Sequence, residues 1–107
     1  RQKIKELAQT NLHFLWQKIK EQAPDVPFLQ SSQEISKWMS KNPSCLESIT
    51  ALDLSQCGLT AVPEEIKYLT QLKILYLNDN ELDALPEELW SLSELTNLNL
   101  GGNNFDT

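Results

Sequence analysis

The side chains best suited to chemistry in this 107-residue chain are two glutamate pairs, Glu64-Glu65 and Glu87-Glu88, one histidine, His13, and two cysteines, Cys45 and Cys57. Paired carboxylates can act as general acid and base, but nothing supports that reading here, since no companion His, Lys or metal ligand recurs near the pairs. Each pair instead follows a proline, in Val62-Pro63-Glu64-Glu65 and Leu85-Pro86-Glu87-Glu88. Proline at the start of a helical turn gives up only a donor that the turn leaves unpaired, and acids there meet the positive end of the backbone dipoles. The four glutamates therefore read as turn-start acids on a solvated face. His13 sits beside Phe14 and Leu15 with no second ligand in its neighbourhood, so it predicts no metal site. The cysteines are twelve residues apart, without C-x-x-C or zinc spacing, and read as two buried or half-buried free thiols suited to a reducing compartment. No catalytic residue, cofactor or metal is expected.

What organises these side chains is a self-match at a shift of 23 residues. Ile49-x-x-Leu52-x-Leu54 aligns with Leu72-x-x-Leu75-x-Leu77 and with Leu95-x-x-Leu98-x-Leu100. Cys57, Asn80 and Asn103 fall in register, as do Leu59, Leu82 and Phe105. A unit this short cannot bury its apolar face alone, so the copies (49–71, 72–94 and a partial 95–107) must stack into a solenoid. Period-two alternation turns Leu75 and Leu77 one way and Ile74, Tyr76 and Asn78 the other. Parallel strands are predicted near 51–54, 74–77 and 97–100, with room for only a short turn on the opposite side. The chain starts at Arg1 and stops at Thr107, thirteen residues into the third copy. That suggests a piece of a longer protein whose open C-terminal edge would self-associate.

The pattern L-x-x-L-x-L-x-x-N-x-L, continued by L-P-x-x-L, resembles the leucine-rich repeat family in its 23-residue intracellular and bacterial form, over Ile49 to Thr107. The resemblance implies an α/β leucine-rich repeat solenoid: a short parallel sheet of about two and a half repeats on a concave face. It further implies that consensus positions one, four and six fill the core, while three, five, seven and eight project towards a partner. Asn at position nine would bond the backbone of adjoining coils, with Cys57 as a weaker substitute. The projecting set begins with Ala51, Asp53, Ser55 and Gln56, continues with Ile74, Tyr76, Asn78 and Asp79, and ends with Asn97, Asn99 and Gly101. The partner-binding residues expected among them are Asp53, Ser55, Ile74, Tyr76, Asn78, Asp79, Asn97 and Asn99, centred on Tyr76. The bland reading of Ile74 and Tyr76 is that they are strand-favouring residues on a solvated face. The implied function is protein recognition without enzymatic activity. The competing reading is the substrate-recruiting part of a bacterial effector enzyme, such as a ubiquitin ligase, with its catalytic domain beyond Thr107.

Residues 1–48 read as a helical cap for the repeats. From Gln2 to about Gln22, Ile4, Leu7, Ala8, Leu12, Leu15, Trp16 and Ile19 recur at helical steps, and Pro24 and Pro27 end the pattern. Val26, Phe28 and Leu29 are expected to tuck this linker against the core. Ser31-x-x-Glu34 has capping-box spacing and opens a second helix, with Ile35, Trp38 and Met39 on one face, that stops at Asn42-Pro43. Both tryptophans read as core. Trp16, the Glu34-Ile35-Ser-Lys-Trp38-Met39 stretch and the junction into the first repeat also resemble the lead-in of leucine-rich repeat proteins from chlamydia-like bacteria, some of them secreted effectors.

Charge divides the chain at the same boundary. Seven Lys/Arg against five Asp/Glu give residues 1–48 a net of +2, whereas two Lys against ten Asp/Glu give residues 49–107 a net of −8, together the −6 of the whole chain. An acidic solenoid repels nucleic acid and anionic lipid, both of which are held through Lys/Arg neutralisation of phosphate. It favours a basic protein partner. No apolar run reaches the length of a membrane span, and an intracellular location is expected.

Overall fold

The three repeats form a parallel sheet because each returns the same alternating segment to the same point of its coil. In the computed structural model the backbone of residues 2–105 is described, with side chains from Asn11 onward; the predicted helix face at Ile4, Leu7 and Ala8 lies outside the described side chains. Helices α1 (Gln2–Gln22) and α2 (Ser32–Lys41) come first, followed by a 3-10 turn at Pro43–Leu46. Strands β1 (Ala51–Asp53), β2 (Ile74–Tyr76) and β3 (Asn97–Asn99) alternate with 3-10 turns at Glu64–Tyr68 and Glu87–Ser91. The sheet order is β1-β2-β3, and Leu52, Leu75 and Leu98 stand in register across it.

The hydrogen-bond ladder repeats with the period of the sequence and extends beyond the strands. Leu54 N–H donates to the Tyr76 carbonyl at 2.8 Å, and one repeat later Leu77 N–H donates to Asn99 at 2.9 Å. Gln56 N–H bonds the Asn78 carbonyl as Asp79 N–H bonds Gly101, and Glu81 N–H bonds Leu59 as Asn104 N–H bonds Leu82. Inside, the first, fourth and sixth leucines or isoleucines of the first two repeats join Leu59, Ile66, Leu69, Leu82 and Leu89 in one buried core.

The chain leaves each strand through a left-handed residue at the same repeat position: Gln56 (φ 55°), Asp79 (φ 60°) and Gly102 (φ 67°). Only glycine takes this geometry without a steric cost, which is about 1–2 kcal/mol for other residues. Set against glycine's larger loss of chain entropy, Gln56→Gly is expected to raise the free energy of unfolding by about 0.5 kcal/mol. Gly102→Ala should lower it by about 2 kcal/mol, because a Cβ there would lie 3.2 Å from the Asp79 Cα as well as in the left-handed region. Urea midpoints of the two variants check both signs.

The helices close the first coil. Leu12, Leu15, Trp16 and Ile19 of α1 and Ile35 and Met39 of α2 are buried, and the Trp16 and Trp38 rings meet edge to face at 5.5 Å. The capping box forms as predicted: Glu34 N–H donates to Ser31 Oγ, and Ser31 N–H donates to the Glu34 carboxylate. Buried Asn11 fastens α1 to the first coil, donating to Thr60 Oγ1 at 3.0 Å and accepting Thr60 N–H at 3.2 Å. At the sheet edge the Gln22 amide donates to the Ala51 carbonyl, so a strand group that would face water is satisfied by a side chain.

Three expectations change. Val26 is buried and Leu29 partly so, but Phe28 is 76 % exposed, because the linker turns its side chain away from the core. Cys45 is exposed rather than buried, since only Leu46 of its 3-10 turn points inward; Cys57 is half-buried. Ile74 is half-buried rather than fully projecting, one row nearer the start of the strand than exposed Tyr76.

Candidate functional site

Strand register builds the outward face of the sheet as a grid. Ala51, Ile74 and Asn97 form one row, and Asp53, Tyr76 and Asn99 form the next, with the buried leucine row between them on the other side. Beyond the strands, Ser55, Asn78 and Gly101 occupy equivalent positions in the coils, followed by Gln56, Asp79 and Gly102. The eight residues predicted to bind a partner thus come from three coils but lie in consecutive rows.

Five of the eight, Asp53, Ser55, Asn78, Asp79 and Asn99, already have a structural task. Asp53 Oδ1 accepts the Ser55 backbone N–H at 2.9 Å and its hydroxyl at 2.6 Å. Asn99 repeats the device, its Oδ1 accepting Gly101 N–H at 3.1 Å. Tyr76, between them, has no side-chain acceptor to offer its own turn. There the Asn78 amide donates to Asp79 Oδ2 at 2.9 Å. The Ser55 hydroxyl, then its backbone N–H, holds the Asp53 carboxyl below its ordinary range, so Asp53 stays charged at neutral pH. Tyr76 and Asn97 are exposed, and neither side chain makes a hydrogen bond among the described residues. Tyr76, at 37 % exposure, is the large apolar group that the sheet leaves in water.

Next to this face, burial pushes the Cys57 thiol up from its ordinary value, so the neutral form dominates. The Cys57 thiol bonds the Ser55 carbonyl of its own coil at 3.4 Å. His13 directs its Nε2–H at the Gln30 carbonyl, 2.8 Å away. Among the described residues no group of His, Cys, Asp and Glu converges to hold a metal ion, and no helix is long and apolar enough to cross a membrane.

Several surface residues lie outside the expected binding set. Lys18 and Glu21, paired at 4.0 Å on α1, and Gln22 border the first coil beside Asp53. Trp90, 64 % exposed, lies on the 3-10 turn Glu87–Ser91. Its signal was available in the alignment: one repeat earlier the position is Lys67, whose ammonium lies 5.3 Å from the Tyr68 ring centre. A tryptophan in a lysine position is a solvent-side aromatic.

The family described as leucine rich repeat matches residues 45–105 of the chain. Among solved structures, an internalin from Listeria monocytogenes is similar, with 28 % sequence identity and a TM-score of 0.63. The similarity covers 84 % of this chain and 23 % of the internalin, so the chain spans less than a quarter of that protein's length. No curated protein matches the chain significantly.

Proposed function

From a chain that belongs to the leucine-rich repeat family, we infer a protein-interaction module that recognises a partner across the outward face of its three-stranded sheet. The observation that carries this reading is Tyr76, an exposed aromatic on the middle strand, surrounded by short polar side chains that are themselves held in place. Aromatic anchors of this kind dominate binding energies, and a rim of ordered polar groups excludes water around them. Because Asp53, Asn78, Asp79 and Asn99 are pre-set by intramolecular bonds, little side-chain entropy is lost when a partner arrives. Residues 1–48 act as the cap of the repeat unit 49–107, whose net charge of −8 favours a basic partner.

The test is affinity capture with the chain and with Tyr76→Ala, followed by titration of the captured partner. The variant is expected to bind about thirtyfold more weakly, equivalent to about 2 kcal/mol, with a thermal midpoint close to the parent's. Trp90→Ala, on the opposite side, should leave this partner's affinity unchanged. A Tyr76→Ala protein that retains full affinity, or that unfolds, would remove the proposal.

A further inference from the structure

A groove of about 620 Å³ opens on the side of the 3-10 turns, where α1 and α2 meet the first two coils. Leu12, Val62, Pro63 and Pro86 give it an apolar floor, and Glu64, Glu65 and Glu88 line it with carboxylates. No Lys or Arg is among its lining residues. Lys18–Glu21 is the one ion pair among the described residues, so these three carboxylates have no cationic partner there. Pro63 and Glu65 recur one repeat later as Pro86 and Glu88, so the groove offers the same apolar-plus-acidic step twice along the solenoid axis.

We propose that this groove binds an extended, arginine-bearing segment of a protein partner. Arginine suits both halves of the lining: its aliphatic stem covers apolar surface while its guanidinium makes charge-assisted bonds to carboxylates. An extended peptide turns alternate side chains to one face, which lets two arginines meet two successive coils. The charge complementarity excludes an acidic segment, and the apolar floor gives the arginine stems a surface to cover. The site is separate from the outward face of the sheet and does not depend on the role inferred for Tyr76.

Fluorescence anisotropy of a labelled octapeptide of alternating arginine and valine, titrated with the 107-residue chain, tests the proposal against a glutamate–valine counterpart. The arginine peptide should bind and the glutamate peptide should not. Glu65→Gln with Glu88→Gln is expected to weaken binding by about tenfold or more. Tyr76→Ala, and Glu81→Gln with Asp83→Asn, a change of equal charge elsewhere on the coils, should leave it within about twofold. Amide shifts induced by the peptide in the unaltered chain should centre on Ser36, Ala61 and Val62, a readout that needs no variant to fold. Failure of the arginine peptide to bind, equal loss in the two charge variants, loss in Tyr76→Ala, or shifts confined to the strands would each overturn the groove.

Discussion

Asn80→Ala is expected to lower the free energy of unfolding by about 3–4 kcal/mol and the thermal midpoint by on the order of 15 °C. The amide of this buried residue holds two coils together. Its Oδ1 accepts Cys57 N–H and Leu59 N–H, each at 3.0 Å, and its Nδ2 donates to the Leu54 carbonyl at 2.9 Å and the Leu77 carbonyl at 3.0 Å. Alanine removes these bonds, and a longer one from Nδ2 to the Asn78 carbonyl at 3.4 Å, and leaves backbone groups in the interior without partners, where each orphaned group costs about 1–3 kcal/mol unless water enters. Asn103→Ala should cost less, because Asn103 is half-buried and its Oδ1 receives a single backbone donor, Leu82 N–H. Calorimetric unfolding of both variants decides the matter. Equal losses would mean that burial does not set the strength of the asparagine ladder.

Leu75→Ala is expected to cost about 3–4 kcal/mol, whereas Leu98→Ala, the same residue at the same repeat position, should cost about 1–2 kcal/mol. Leu75 is fully buried between the first and third coils, while Leu98 is half-buried and packed against the core from the second coil. Truncating a leucine removes the transfer energy of its methyl and methylene groups and adds a cavity cost that falls where solvent or neighbours can fill the space. Urea unfolding at matched slope would measure the difference. Two variants of equal stability would contradict coil-on-coil nesting as the source of the core's stability.

Much of the fold was legible because a 23-residue period constrains many positions at once. The three strands, their parallel register and the short turns after Pro63 and Pro86 follow from that period and from alternation within each copy. The capping box at Ser31 and Glu34 was legible for a different reason, since it depends only on spacing within one turn. Phe28 and Cys45 were misjudged because each lies in an irregular segment where residue type suggests burial but no periodicity says which way the side chain turns.

Residue order alone marks the chain as a repeat protein, assigns the positions that face its core and puts Tyr76 on the outward side of the middle strand. These are properties of spacing, and spacing survives without coordinates. Packing in three dimensions sets which polar side chains are engaged in bonds of the fold itself. Asp53 and Asn99 are occupied by their own turns, Asp79 takes a left-handed backbone, and Asn11, unremarkable in sequence, is buried as the pin between helix and coil. It also brought Leu12, Glu65 and Glu88 to one groove, although they lie far apart along the chain. Such convergence depends on how the helices cross the coils, and no local pattern encodes a contact between segments whose relative placement is set by packing of the whole core.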